Sequence, residues 1–198
     1  ISYIAEYPKD SEEWYLMYRS AMEQLNKWKQ KTNKKPLIIR GARQAGKTWL
    51  MKEFGKTAYE KTVYINFDNN PQMKELFSLD MRIDRIIMGI ELYVGHKISP
   101  HNTLLIFDEV QEVPKALSSL KYFNETAPEY QIICAGSLLG IALHQGTSFP
   151  VGKVEFMDLY PLSFTEFMRA MGKEQFVDLL DKGDFEMATM FRPVSYTH

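Results

Sequence analysis

The chain has 198 residues, 24 Lys+Arg against 25 Asp+Glu, and a formal net charge of -1. About 45% of it is apolar and 13% aromatic, enough for one sizeable core or for a main domain with a small appendage. The balanced charge gives no global reason to expect a nucleic-acid or anionic-membrane binder, no apolar stretch approaches the ~18–20 residues of a bilayer span, and a single cysteine, Cys134, excludes an internal disulfide framework or a Cys-rich zinc site. With a polar start that does not read as a secretory signal, the expectation is a soluble, cytoplasmic, globular protein. The chain opens with Ile1 rather than Met and closes on a stretch without cap or apolar pattern, Phe191 to His198. We therefore expect a piece of a longer protein, and a vector-derived tail is one reading of its end.

In chain order, residues 12–30 come first, with Trp14, Tyr18, Ala21, Leu25 and Trp28 at steps of four and three, the period of an amphipathic helix. A lysine-rich connector follows: Lys27, Lys29, Lys31, Lys34 and Lys35. Two readings stay open for it, a solvated helix C-terminus and loop or a patch that faces phosphate or nucleic acid. After Pro36, the run Leu37-Ile38-Ile39 predicts a buried strand. Trp49 to Phe54 reads as a helix. Thr62 to Phe67 alternates and is rich in β-formers, and Asp68 to Pro71 ends it. Ile83, Ile86, Ile87, Ile90 and Val94 mark a helix that closes near Gly95. Thr103 to Phe107 is a third strand, Pro114 opens a helix bearing Leu117, Leu120 and Phe123, and Gln131 to Ala135 is a fourth strand. Val154 to Leu159 is a fifth. Pro161 and the capping pair Ser163 and Glu166 start a further helical stretch. Strands alternating with helices predict an α/β fold with a largely parallel sheet, whose ligand lies at the carboxyl ends of the strands.

The segment Gly41-Ala-Arg-Gln-Ala-Gly46-Lys47-Thr48 fits the phosphate-loop pattern G-x-x-x-x-G-K-[ST] without a mismatch. Its glycines let the backbone curl and turn N–H groups toward phosphate oxygens. The helix that begins near Lys47 aims its positive end at the same anion. Lys47 supplies an ammonium for the β- and γ-phosphates, and the Thr48 hydroxyl is a hard oxygen ligand suited to Mg²⁺. The residues expected to hold nucleotide are Gly41, Arg43, Gln44, Ala45, Gly46, Lys47, Thr48 and Trp49. For Arg43, contact with phosphate or a neighbouring subunit and projection into solvent both stay open.

Further along, Leu104-Leu-Ile-Phe107-Asp108-Glu109 places two carboxylates at the end of an apolar strand. Asp108 is expected to complete the metal site begun by Thr48, by holding a water of the Mg²⁺ shell. Glu109 would face away from Asp108 in a regular strand, but at a strand end it can reach an attacking water as general base. Ser137 follows the fourth strand, either to bond the γ-phosphate or the water, or to cap a helix before Leu138; both roles can hold together. Lys47, Glu109 and Ser137 are thus the expected catalytic residues. Cys134 reads as a small buried hydrophobe. His96, His101 and His144 share no metal-ligand spacing, so no metal beyond Mg²⁺ is assigned. Asn33-Lys34 precedes the phosphate loop and lacks the Asp of the guanine-reading Asn-Lys-x-Asp, and a carboxylate beside Asp108 favours hydrolysis over transfer. The expected chemistry is therefore hydrolysis of ATP.

These segments, with Leu105-Ile-Phe-Asp-Glu-Val-Gln111, Gly136-Ser137 and the stretch from Pro150 through Phe167, resemble prokaryotic AAA-type ATPases of the archaeal-ATPase/STAND-like branch over residues 15 to 170. The resemblance implies a three-layer P-loop NTPase sandwich with a five-stranded, mainly parallel sheet of order 5-1-4-3-2. It makes Gly41–Thr48 the Walker A loop, Asp108 and Glu109 Walker B, and Ser137 the sensor-1 position. It divides the chain into an ATPase domain over 1–160, including the N-terminal helix, and the start of a truncated helical lid over 161–198. The large C-terminal domain of such proteins is absent from this sequence. Arg82, Arg85 and Arg169 are candidates for an arginine finger, each also readable as a surface charge; a homo-oligomer or a protein partner would otherwise supply one. Such a finger is worth about 10³–10⁵ in rate, so we expect tight nucleotide binding and slow turnover by this chain alone. The reading from a different class is a nucleotide-gated module that binds nucleic acid or protein and hydrolyses little, supported only by the lysine segment.

Overall fold

The computed structural model describes residues 19–79, 81–136, 150, 152–160, 168 and 173–183. Trp14, Tyr18, Ser137, His144, Ser163, Glu166 and Arg169, singled out above, lie outside the described residues. The chain divides into two units, Ala21–Pro161, and Ile1–Ser20 together with Leu162–His198.

The larger unit runs α1 (Arg19–Gln30, from Ala21 on), β1 (Leu37–Arg40), α2 (Lys47–Ala58), β2 (Lys61–Asn66), α3 (Pro71–Leu79), α4 (Ile83–Val94), β3 (Thr103–Asp108), a short 3-10 turn (Val110–Glu112), α5 (Pro114–Thr126), β4 (Gln131–Ala135) and β5 (Glu155–Asp158). The strands form one sheet in the order β2-β3-β4-β1-β5, and every pairing is parallel. This is the expected order 5-1-4-3-2 read from the other edge. A sheet with neighbours on both faces needs apolar residues at successive positions, and β3 and β4 are buried along their whole length.

Alternation assigns the two faces. Ile38, Val63, Ile65, Leu105, Phe107, Ile132 and Cys134 join α3, α4 and α5 in one core. Phe107 is its centre: its ring meets Phe67 at 5.5 Å, Phe77 at 5.9 Å and Phe123 at 6.5 Å, all edge to face, the arrangement that ring quadrupoles favour. The intervening residues face the other way, where α2 lies against β2, β3 and β4 and buries Leu50, Met51 and Phe54. Asp108 follows Phe107 and so belongs to the α2 side, as the nucleotide reading requires.

Differences from the expected elements are local. Strand β2 starts one residue earlier and stops at Asn66, β3 extends to Asp108, and β5 is shorter. Helix α3 was not predicted; Asn70 marks its start, with Pro71 in the first helical position and the Asn70 Oδ1 accepting the Met73 N–H at 3.1 Å, an N-cap bond. Gly95 ends α4 at φ 77°, as expected. In α1, Ala21, Leu25 and Trp28 are buried, and the Trp28 indole N–H reaches the Lys35 carbonyl at 2.9 Å.

Four of the five lysines of the connector have partners within the fold. Lys29 donates to the Ala58 carbonyl and lies 4.3 Å from the Tyr59 ring centroid. Lys31 pairs with Glu155, Lys34 donates to the Lys29 carbonyl at 3.3 Å, and Lys35 to the Gly152 carbonyl at 2.7 Å. These contacts gather at the amino ends of β1 and β5, the end of a parallel sheet remote from its ligand.

In the smaller unit, α6 (Glu174–Asp181) buries Val177. Among the described residues no helix is long and apolar enough to cross a membrane.

Candidate nucleotide site

The loop between β1 and α2 is fixed before any side chain acts. At Gly41 a Cβ would stand 2.2 Å from the Leu159 carbonyl oxygen, so only glycine lets the chain leave β1 beneath the end of β5. Leu159 is itself held there: its N–H donates to the Arg40 carbonyl at 2.7 Å, and Arg40 forks onto Asp158 at 2.9 and 2.7 Å. Gln44 at φ 66° and Gly46 at φ 83° turn the loop through the left-handed region, which costs glycine little. Gly46 is then the cap from which α2 departs, its first N–H groups directed back along the loop.

Lys47 is buried, and its ammonium donates to the Gly41 and Ala42 carbonyls at 2.9 and 2.7 Å. Burial lowers its pKa below the ordinary lysine value, and the charges of Glu109 and Asp108 push the other way. The ammonium is thus held by loop carbonyls within the influence of two carboxylates. Arg43 is exposed in the loop and Trp49 is 40% exposed.

The Thr48 hydroxyl donates to Asp108 Oδ2 at 2.6 Å. This bond joins the start of α2 to the end of β3 across the sheet. Because Thr48 gives its proton to the carboxylate, its oxygen lone pairs remain for a cation. A hydroxyl and one carboxylate are hard oxygen donors that fit Mg²⁺, which is usually held by one or two carboxylates plus phosphates and water. Among the described residues no group of three or more His, Cys, Asp or Glu is placed to hold a metal ion.

Strand β3 stops at Asp108, and Glu109 takes a left-handed conformation at φ 50°. Strand alternation therefore does not govern where Glu109 points. The Gln111 amide donates to Glu109 Oε2 at 2.6 Å, and the Glu109 N–H donates to Asp108 Oδ1 at 3.1 Å. The expected residues Gly41, Gly46, Lys47, Thr48, Asp108 and Glu109 thus converge at the carboxyl ends of β1 and β3.

Two residues at this site were not anticipated. Gln111 lay within the resembling segment but had been given no role. Tyr64, in β2, donates its hydroxyl to Asp108 Oδ2 at 3.0 Å, and the Lys52 ammonium sits 3.8 Å from its ring centroid. Burial, then Asp108 and Glu109, raise the Tyr64 pKa well above the usual phenol, keeping it a proton donor. Cys134 is fully buried, and burial with the nearby Asp108 charge raises its thiol pKa, in keeping with a small hydrophobe. Arg82 forks onto Asp84 at 3.2 and 2.5 Å beside the start of α4.

Comparison with known proteins bears on the family and the fold. The family described as AAA domain matches residues 33–168. None of the curated proteins matches the sequence. Among solved structures, a Walker-type ATPase of Pyrococcus abyssi is similar at TM-score 0.57 and 15% identity, over 89% of this chain and 62% of that one. The Aeropyrum pernix ORC2 protein in ADPNP-ADP complexes is similar at 0.52 and 18%, over 85% and 54%. Drosophila ORC bound to DNA is similar at 0.51 and 12%, over 91% and 52%. These likenesses show a shared fold, and the chain spans about half to three-fifths of the length of those structures.

Proposed function

The chain belongs to the AAA-domain family, and on that premise we propose that it is an Mg²⁺-dependent ATPase whose hydrolysis switches an attached domain or a partner. The observation that carries the reading is the 2.6 Å bond between Thr48 and Asp108, set beside a glycine-built loop whose lysine is buried. In this reading, the backbone N–H groups from Gln44 through Trp49, with Arg43 at the loop's edge, cradle the phosphates, and Lys47 balances the β- and γ-phosphate charge. Bound Mg²⁺ supplies charge neutralisation across those oxygens, and Thr48 and Asp108 are the residues that would hold it. Glu109 takes the proton of the attacking water or orients it, while Gln111 steadies the carboxylate. Ser137 is assigned the sensor position beside the γ-phosphate.

Placement in the archaeal-ATPase/STAND-like branch, the lid over 161–198 and cytoplasmic residence belong to the same proposal. So does a second subunit or partner that supplies an arginine; of the candidates in this chain, Arg82 pairs with Asp84 at the surface. Drosophila ORC is bound to DNA in its structure, but that likeness bears on fold alone. Four of the five lysines that had supported a nucleic-acid module are bonded to Ala58, Glu155, Lys29 and Gly152, so the enzyme reading is the better supported.

Phosphate release from ATP, measured beside ATP affinity in the wild type and in Glu109→Gln, tests this. Slow turnover is expected in the wild type and a further loss of about 10²-fold or more in the variant, with affinity retained. Equal turnover in the two proteins would remove Glu109 from the chemistry.

A further inference from the structure

From the contacts of Asp108 we infer that Tyr64 is a positioning residue of the Mg²⁺ site, its hydroxyl fixing the carboxylate that faces the metal. The inference rests on the nucleotide-and-metal reading proposed above. An ionised carboxylate offers about four lone-pair sites. Oδ2 accepts both the Thr48 hydroxyl at 2.6 Å and the Tyr64 hydroxyl at 3.0 Å. Oδ1 accepts the Glu109 N–H at 3.1 Å. Three sites are thereby filled, and the remaining one, on Oδ1, is free to receive a metal-bound water. Without Tyr64, Oδ2 keeps Thr48 as its single partner, and the carboxylate is held by two bonds instead of three.

The fold holds the phenol in place from two directions. Tyr64 is opposite Ile106 in the β2–β3 register, so it lies on the α2 side of the sheet, while its neighbours Val63 and Ile65 enter the opposite core. Lys52, four residues after Thr48 on α2, lies 3.8 Å from the ring centroid, close enough for a cation–π contact. One helix therefore carries both the hydroxyl that would bind the metal and the cation that steadies the tyrosine.

The test is titration of a fluorescent ATP analogue into the chain, in EDTA and over a series of Mg²⁺ concentrations. The variant is Tyr64→Phe, which keeps the ring, its packing and the Lys52 contact. Tyr59→Phe serves as comparison, because it removes a different hydroxyl bond, to Gln131 Oε1 at 2.7 Å, where α2 ends and β4 begins. The expected result is that Tyr64→Phe needs about 10–100-fold more Mg²⁺ to gain half of the metal-dependent affinity, the range for partners that orient metal ligands. Affinity in EDTA should match the wild type, and Tyr59→Phe should keep the wild-type Mg²⁺ midpoint. A wild type that responds to Mg²⁺ while Tyr64→Phe responds identically overturns the assignment of Tyr64 alone. A wild type whose binding ignores Mg²⁺ overturns the metal reading and this inference with it.

Discussion

Replacing Gly41 by alanine puts a methyl group where the chain has no room. The new Cβ would lie 2.2 Å from the Leu159 carbonyl oxygen and 3.2 Å from its carbon. Ordinary carbon–oxygen contact begins near ~3.3 Å, so the two backbones must part by roughly 1 Å. Neither is free to yield cheaply. The Leu159 N–H is bonded to the Arg40 carbonyl at 2.7 Å, and Arg40 and Asp158 are locked by two further bonds. Relief must come from the last rung between β1 and β5 or from the phosphate loop. Overpacking of this kind costs ~1–3 kcal/mol and a lost hydrogen bond ~1 kcal/mol, giving ~2–4 kcal/mol in all. Urea unfolding followed by circular dichroism measures that loss, and titration of a fluorescent ATP analogue should show weakened binding in the same protein. Gly95→Ala is the matched comparison: φ is 77° there with nothing within 4 Å. Only the backbone strain, ~1–2 kcal/mol, should then appear, with nucleotide affinity unchanged. If Gly41→Ala lost no more stability than Gly95→Ala and bound nucleotide as well as the wild type, the close approach to Leu159 would not be what shapes the loop.

Phe107→Ala should cost ~3–5 kcal/mol, because it empties the centre of the ring cluster with Phe67, Phe77 and Phe123; a drop in the urea midpoint smaller than that of Gly95→Ala would contradict the packing account. Lys47 gives a prediction with a definite sign. Burial lowers its folded pKa below the ordinary value, so between the folded and unfolded values the unfolded chain carries more protons and stability rises with pH. The cost of holding the ammonium is present at neutral pH and is relieved as pH climbs through the lowered value. Relative to Lys47→Met, the wild type should therefore gain stability as urea titrations move from neutral toward the alkaline range; a difference that stays flat or shrinks would reverse the sign.

Much of the site could be read from the residues because its signals are local. The loop from Gly41 to Thr48 and the apolar strand ending in Asp108-Glu109 are each contiguous in the sequence. Strand order was different. Periodicity showed that strands existed, while the neighbours of β1 came only from the resemblance, because pairing depends on crossovers that no short window contains. Helix α3 escaped because Asn70-Pro71 reads equally as the end of a strand and as a helix cap, and the deciding bond, Asn70 to Met73, is a matter of geometry. Tyr64 looked like any β-former in an alternating strand; its function depends on register with β3. The lysine segment stayed open between two readings for a related reason. Its partners include the carbonyls of Ala58 and Gly152, which carry no side-chain signature and lie far along the chain. Glu109 was legible as a residue and not as a conformation, since its positive φ follows from the tight turn into Val110.

The account stands on an anion site built around Lys47, and calorimetric titration of ATP with Mg²⁺ into the wild type and into Lys47→Ala examines it most directly. Saturable binding by the wild type and its loss in the variant, with the fold intact by circular dichroism, is the predicted result. The same affinity in both proteins, or no heat of binding in either, would contradict it.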